Sequence, residues 1–331
     1  MKARVVSGMR PTGRLHLGHL VGALSNWVPL QDNYDCFYFV ADWHALTSEY
    51  ADTSGVVESS YDMVADWIAA GLDPEKSTFF VQSLVPEHAE LFLLLSMVVP
   101  VPWLERVPTY KEQQENLKDR DLSTLGFLGY PLLQTADVSI YDAKFVPVGE
   151  DQVAHLELSR EVVRRFNNTF GDTLVEPQPL LTAVSRLPGI DGEKKMSKSI
   201  GNTIHLSDDA DMVMKRVRQM YTDPKRVRAD IPGTVEGNPV FIYHDTFNPD
   251  KAEVDDLKDR YRAGKVGDVE VKTKLARALN AHLDPIRERR AAVLAKPGTV
   301  KEILHEGSKK ARVVAHETME RVRAAVKLRY A

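Results

Sequence analysis

The chain has 331 residues, of which 43% are hydrophobic and 27% charged, and its formal net charge is −4. This balance is typical of a soluble globular protein with room for one or two buried cores. A single cysteine, Cys36, excludes an internal disulfide and a cysteine-ligated metal cluster, and no apolar run approaches the roughly 20 residues that span a bilayer. We therefore expect a cytoplasmic protein with no membrane segment and no signal peptide.

The first 150 residues alternate between strand-like and helix-like patterns. Short β-rich runs occupy 4–7, 36–41, 78–82 and 145–148. Between them, apolar residues recur at helical spacing, as in Leu17, Leu20, Leu24 and Trp27, and another helical stretch covers 125–141. This alternation predicts an α/β fold whose parallel sheet is covered by helices on both faces. Ligands bind such sheets at the carboxyl ends of the strands, near the point where the strand order reverses.

The pattern changes after about residue 207. Ser207 is a candidate N-cap, a turn-rich stretch follows at 224–239, and the remainder is mostly helical. We expect a Rossmann-like domain over 1–205, an all-α domain over 206–295, and a C-terminal helix over 296–331 that packs back on the first domain.

Basic residues cluster in the second half of the chain. The range 281–331 carries more Lys and Arg than Asp and Glu, and another group consists of Lys215, Arg216, Arg218, Lys225, Arg226 and Arg228. Such faces suit a phosphate backbone, but they are more often solvated helix surfaces. By themselves they do not predict RNA binding.

A first chemical motif lies at 7–19, between the first strand and the first helix. Its glycines and proline shape a turn, and Gly18 permits close approach of a ligand to the backbone. His16 and His19 lie one turn apart on one helix face, beside the unpaired N–H groups of the helix start. Two histidines at this spacing also occur in zinc sites, but no glutamate lies between them. The strand–turn–helix context favours phosphate.

A second motif is the glycine-flanked, lysine-rich segment 194–199. Its three lysines and two serines suit a polyphosphate, because an ammonium group stabilises the charge that develops on departing pyrophosphate. A solvated surface loop or a localisation signal explains such a segment on its own, but neither explains the first motif.

Together the two motifs resemble those of the class I aminoacyl-tRNA synthetases. His16–His19 corresponds to the HIGH signature of that family, and 195–199 matches its KMSKS signature letter for letter. The resemblance implies a Rossmann catalytic domain, an α-helical anticodon-binding domain, and ATP with Mg²⁺ as the nucleotide. It implies catalytic roles for His16, His19, Lys195, Ser197 and Lys198.

Within this class, the chain is similar to the tryptophan and tyrosine subgroup over essentially its whole length. The segment 146–152 resembles the VPVGEDQ segment of tryptophan enzymes, and 7–13 resembles their opening, with Arg10 where many members have glutamine. The resemblance assigns ATP contacts to Arg10, Pro11, Thr12, Gly18, His19, Gly149, Glu150, Asp151, Leu187, Lys195, Met196, Ser197, Lys198 and Ser199. Glu150 and Asp151 are also explained as ordinary acids of a helix start.

The amino-acid pocket is predicted on the helix at 125–141. Tyr130, Gln134 and Asp137 share one face, and an apolar slot that ends in a carboxylate suits indole, whose only polar atom is an N–H donor. One lineage of tyrosine enzymes holds a phenol with a similar trio, so the trio leaves tyrosine open, and the 146–152 segment favours tryptophan. By resemblance the tryptophan contacts are Gly8, His44, Tyr130, Gln134, Asp137 and Gln152. A capping or core role explains His44 almost as well.

The resemblance further implies tRNA(Trp) as partner and a homodimer. Some relatives carry an iron–sulfur cluster, but the corresponding positions here are Asn238, Tyr261, Asp268 and Val271, so we expect no cluster and no resident metal. Two rival interpretations come from other classes: a nucleotidyltransferase with an HxGH loop, and a non-enzymatic paralogue kept for protein binding.

Overall fold

The computed structural model describes residues 2–107, 122–149, 153–181, 187–192, 196–197 and 200–330. Its strands are β1 (Arg4–Met9), β2 (Asp35–Val40), β3 (Ser77–Val81), β4 (Phe145–Val148) and β5 (Gln178–Leu181). Its α-helices are α1 (Leu17–His19), α2 (Ser25–Leu30), α3 (Asp42–Glu49), α4 (Val56–Ala70), α5 (Glu87–Ser96), α6 (Val101–Glu105), α7 (Leu125–Ser139), α8 (Val153–Phe170), α9 (Ala210–Arg218), α10 (Pro239–Phe247), α11 (Lys251–Arg262), α12 (Asp268–Leu294) and α13 (Thr299–Ala325). A π-helical turn (Leu20–Leu24) joins α1 to α2, and a 3₁₀ turn (Gln82–Leu84) follows β3.

The five strands form one parallel sheet in the order β3-β2-β1-β4-β5. The expected α/β class and the four expected strands are confirmed, with ends shifted by one or two residues. The sequence analysis missed β5, because Gln-Pro-Leu-Leu is short and its proline is unusual in a strand. The strand order reverses between β1 and β4, which is where a doubly wound sheet binds its ligands.

The chain packs as two compact units. The first consists of 1–13, 26–183 and 296–331, and it contains the sheet. Its core includes the apolar face of α13, whose Ala311, Ala315, Met319 and Val322 are buried. Within the described residues no helix is long and apolar enough to cross a membrane.

Helix α13 covers the edge strand β3 at very short range. A Cβ added to Gly307 would lie 1.8 Å from the carbonyl oxygen of Phe79. Next to it, the Ser308 hydroxyl accepts from the N–H of Val81 at 3.1 Å and donates to the carbonyl of Leu304 at 2.7 Å. The helix therefore satisfies part of an otherwise open sheet edge and leaves no room there for a side chain.

The second unit consists of 14–25 and 184–295 and includes α9 to α12. The predicted helical region is confirmed. In this unit α1 is tied to the segment 204–206: Leu17 N–H donates to the carbonyl of Ile204, and Leu206 N–H to that of Leu15, both at 3.0 Å. By packing, 14–25 and 184–205 thus group with the helices, whereas the sequence analysis assigned them to the first domain.

Two details of the helical region differ from expectation. Helix α9 begins after Asp209, whose carboxylate accepts from Met212 N–H at 2.7 Å, and Ser207 is not the N-cap because its hydroxyl accepts from the Arg14 guanidinium. Arg226, grouped above with the basic surface residues, is only 6% exposed. Its guanidinium donates to backbone carbonyls and stacks 3.8 Å from the Tyr261 ring centroid, so it does not face solvent.

Candidate active site

Asp137 lies near the end of α7 and is 1% exposed. Three side chains donate to its carboxylate, each at 2.7 Å: Gln82 Nε2 and His88 Nδ1 to Oδ1, and His44 Nε2 to Oδ2. These donors lie after β3, on α5 and on α3. Three elements of the first unit therefore converge on this one buried charge.

The electrostatics keep Asp137 ionised. Burial by itself raises the pKa of a carboxyl group, but the charge and hydrogen bond of His44 and the hydrogen bond from His88 outweigh it and lower the pKa of Asp137 to about 2. Behind His88, Nε2 lies 2.6 Å from the Tyr141 hydroxyl. The result is a chain from Tyr141 through His88 to a carboxylate that accepts hydrogen bonds at neutral pH.

Two other residues predicted for the amino acid lie close to Asp137 in sequence, on α7, and a third lies on β1. Tyr130 and Gln134 are half-buried on α7, and the Tyr130 hydroxyl lies 3.4 Å from His155 Nε2. Gly8 lies opposite Phe39 in the sheet, and a Cβ on it would lie 2.4 Å from the Phe39 ring. Gly8 therefore keeps that part of β1 bare of side chains.

In the second unit, His16 and His19 form a reciprocal cap on α1. Nδ1 of His16 accepts from Gly18 N–H at 3.1 Å, and Nδ1 of His19 accepts from His16 N–H at 3.2 Å. A nitrogen that accepts carries no proton, so in the neutral ring Nε2 carries it. The backbone thus fixes both imidazoles, 3.8 Å apart, as Nε2–H donors. His16 is the N-cap, not a residue of the first turn as the sequence spacing suggested.

The second motif lies against the first. A Cβ on Gly18 would lie 3.7 Å from Cβ of Met196, which is buried. The following residue, Ser197, donates its N–H to Asn202 Oδ1 at 2.8 Å, and the Asn202 amide donates to Asp191 at 2.9 Å. The structure therefore brings together the two segments that the sequence separates by about 180 residues.

The remaining predicted ATP contacts divide into two sets. Arg10, Pro11 and Thr12 form a tight turn after β1, Gly149 follows β4, and Leu187 is buried. The predicted ATP contacts outside the described residues are Glu150, Asp151, Lys195, Lys198 and Ser199. The predicted tryptophan contact Gln152 also lies outside them.

Comparison with known proteins shows the family to which this chain is similar. The family described as tRNA synthetases class I (W and Y) matches residues 1–284. The chain belongs to this family. It is 50% identical to the tryptophan–tRNA ligase of Thermotoga maritima over 99% of this chain and 100% of that one. It is 48% identical to the tryptophan–tRNA ligase of Treponema pallidum over 98% and 97% of the two chains.

Among solved structures, the chain resembles the tryptophanyl-tRNA synthetase of Campylobacter jejuni complexed with ADP and tryptophan. The TM-score is 0.86 at 33% identity, covering 98% of this chain and 99% of that one. The similarity of sequence and fold therefore extends over the full length of a class I synthetase.

Four residues of this class I synthetase that were not predicted contact predicted site residues directly or through a neighbour, three in the first unit and one in the second. Gln82, His88 and Tyr141 surround Asp137, and Asn202 holds the backbone of Ser197. Gln82 directly follows β3, and polar residues at the carboxyl end of a parallel strand are a usable signal. No comparable local signal marks Tyr141, whose role depends on a contact with a residue 53 positions earlier.

Proposed function

We propose that this class I synthetase is a tryptophan–tRNA ligase. It activates L-tryptophan with ATP to tryptophanyl-adenylate and pyrophosphate, and then transfers tryptophan to tRNA(Trp) with release of AMP. The observation that carries this proposal is Asp137, a buried carboxylate held ionised beside Tyr130 and Gln134 on α7, in a chain with 42–50% identity to curated tryptophan–tRNA ligases. An indole N–H is a donor that such a carboxylate accepts.

In the first step, the tryptophan carboxylate attacks the α-phosphorus of ATP in line, and the bond to pyrophosphate breaks. The protein positions the reactants and neutralises charge. The Nε2–H groups of His16 and His19 donate to phosphate oxygens, a role that their fixed tautomers support. Lys195, Ser197 and Lys198 act on the departing pyrophosphate. In the second step, a hydroxyl of the terminal tRNA ribose attacks the adenylate carbonyl.

The remaining predicted contacts complete the proposal. Arg10, Pro11, Thr12, Gly18, Gly149, Glu150, Asp151, Leu187, Met196 and Ser199 contact ATP, and Gly8, His44 and Gln152 contact tryptophan. Among the described residues no three His, Cys, Asp or Glu side chains are grouped to hold a metal ion. Mg²⁺ enters with ATP, bound largely by phosphate oxygens and water.

We further propose a cytoplasmic homodimer whose all-α region, 206–295, meets the anticodon arm. Arg226 is buried, so the exposed cations of that region include Lys215, Arg218, Lys225 and Arg228. Reversing these four charges should weaken tRNA binding and flatten its dependence on salt. If binding and its salt slope stayed the same, RNA would contact another surface.

The test of the reaction is ATP–pyrophosphate exchange with tryptophan and with tyrosine. We expect exchange with tryptophan and a rate with tyrosine lower by about 10⁴-fold, because a site built around one hydrogen bond rejects a poorly matched substrate. Exchange with tyrosine alone would keep the class and change the amino acid. If neither supported exchange, a nucleotidyltransferase or a binding paralogue would be the better interpretation.

A further inference from the structure

The hydrogen-bonding capacity of Asp137 is nearly used up. A carboxylate has about four acceptor positions, two on each oxygen. Oδ1 accepts from two donors, Gln82 and His88, and Oδ2 accepts from His44. Counting donors from the described residues, one acceptor position on Oδ2 remains for a ligand, and the donors on Oδ1 decide the direction in which that position points.

The protons behind Oδ1 are fixed in direction. Burial, together with the negative charges of Asp137 and Glu87, raises the pKa of Tyr141 well above its ordinary value, so its hydroxyl stays protonated. When Tyr141 donates to His88 Nε2, the ring proton of His88 lies on Nδ1, facing Asp137. Both side chains are fully buried, and the Tyr141 ring stacks on Phe37 at 5.2 Å.

Helix α13 holds both ends of this pair in place. Arg312 pairs with Glu87, the residue before His88, at 2.9 Å. Arg321 pairs at 2.6 Å with Asp142, the residue after Tyr141. Asp142 has a positive φ of 51°, which marks a tight turn. The pair is therefore flanked on both sides in sequence by residues that are ion-paired to α13.

We propose that His88 and Tyr141 are positioning residues for amino-acid selection, which fix Oδ1 of Asp137 so that Oδ2 presents its one open acceptor position to the indole N–H. This inference rests on the proposed recognition of tryptophan by Asp137. It assigns selectivity to two residues that do not touch the substrate, and it predicts that their loss changes discrimination rather than activity in general.

The first test compares His88→Ala with His88→Asn. The asparagine amide places an N–H close to the position of Nδ1, whereas alanine leaves none. The readout is kcat/KM in ATP–pyrophosphate exchange for tryptophan, divided by that for its benzothiophene analogue, in which sulfur replaces the N–H. We expect this ratio to fall by about tenfold in His88→Ala, as for loss of one hydrogen bond to a charged group, and to recover largely in His88→Asn.

His244→Ala is the matched control, because His244 is also fully buried and also hydrogen-bonded at both ring nitrogens, but lies in the other unit. It should lower stability and leave the ratio unchanged. If His88→Ala lowered kcat/KM equally for tryptophan and the analogue, His88 would be structural only and the proposal would be wrong.

Tyr141→Phe tests the second residue and removes only a hydroxyl. We expect a smaller fall in the same ratio, about threefold, because His88 loses the partner that fixes its proton. Tyr38→Phe is its control: Tyr38 is equally buried in the same unit, but its hydroxyl donates to the backbone carbonyl of Trp27. Equal ratios in the two variants would exclude Tyr141 from positioning.

These outcomes distinguish a failure of the proposed function from a failure of the positioning role. If the wild-type protein failed to activate tryptophan, the proposed function itself would be wrong. If the wild type activated tryptophan but His88→Ala, His88→Asn and Tyr141→Phe kept its discrimination against the analogue, only the positioning role would be overturned.

Discussion

Asp137 in the first unit and Arg226 in the second unit are both buried charged side chains, and their charges are compensated differently. In the first unit, the donors that the described residues supply to Asp137 are three side chains, and an acceptor position remains on Oδ2. In the second unit, Arg226 donates to the backbone carbonyls of Ala229, Ile231 and Val266 and pairs with Asp268 at 3.3 Å. Both are expensive to bury, and both are compensated by several partners.

The difference in partners separates a site from a structural anchor. Arg226 binds backbone carbonyls and so links loops to one another. Because no side-chain substitution removes a backbone carbonyl, this arrangement suits a permanent structural contact. Asp137 is surrounded by side chains that leave capacity for one more donor, which suits a ligand. Burial alone would not have distinguished them.

The largest expected effect comes from Asp137→Asn. The new amide places an N–H among three donors and abolishes the acceptor for indole, so kcat/KM for tryptophan should fall by about 10⁴-fold. Asp66→Asn is the control, since Asp66 is also 1% exposed and lies on α4 of the same unit. ATP–pyrophosphate exchange with tryptophan measures the activity of both variants. Unchanged exchange in Asp137→Asn would remove Asp137 from the site.

Arg226→Met should produce the opposite profile. Loss of the buried guanidinium leaves three carbonyls and Asp268 without their partner, at a cost of about 3–5 kcal/mol in the free energy of unfolding. The KM for tryptophan should stay unchanged. Urea unfolding measures the first quantity and exchange kinetics the second. Arg228→Met, at an exposed arginine paired with Asp230, should change neither. An altered KM in Arg226→Met would contradict the division between anchor and site.

A smaller effect is expected where α13 crosses β3. In Gly307→Ala the new methyl group meets the Phe79 carbonyl and forces the helix away, at a cost of about 1–3 kcal/mol in the free energy of unfolding. Since Arg312 and Arg321 lie on the same helix, the KM for tryptophan should also rise, unlike in Arg226→Met. Gly126→Ala, on α7 with nothing within 4 Å of the new methyl, should be neutral or slightly stabilising. An unchanged KM in Gly307→Ala would mean that α13 does not influence tryptophan binding.

The fold was largely predictable because its signals are local. Helical spacing at Leu17, Leu20 and Leu24 marked a buried helical face, and all three are buried. The β-rich runs and their alternation with helices gave the parallel sheet. Helix boundaries were less predictable: Ser207 and Asp209 are both good N-caps, and Arg14, distant in sequence, binds the first and leaves the second to cap.

The site was predictable only in part, for the same physical reason. Asp137 stood out because it is an acid in an apolar helix, and the two phosphate motifs stood out by their residue types. The basic cluster containing Arg226 gave the wrong indication, because sequence shows a charge but not the carbonyls that fold around it. His88 and Tyr141 are ordinary residues until tertiary contacts join them to Asp137.

The smallest expected effect is a difference in acid sensitivity between the two units. Burial lowers the pKa of His244 and His282 in the second unit, so both stay neutral in the folded chain. When the pH falls below the ordinary histidine pKa of about 6.5, the unfolded chain takes up protons first, and stability falls. Asp137 behaves differently: its folded pKa of about 2 lies below the ordinary value of about 3.9. Its contribution is complete above pH 4 and is lost only as the pH falls from about 4 towards 2.

The two windows can be separated by substitution. In His244→Gln the side-chain amide still donates to the Val271 carbonyl but does not titrate. The free energy of unfolding in urea should therefore decline less between pH 7.5 and 5.5 than it does in the wild type. Asp137→Asn should leave that decline unchanged, since its carboxyl is ionised in both states over this range. An equal decline in His244→Gln and wild type would mean that protonation of His244 in the unfolded chain does not cause the loss of stability. The acid sensitivity of the second unit would then depend on His282.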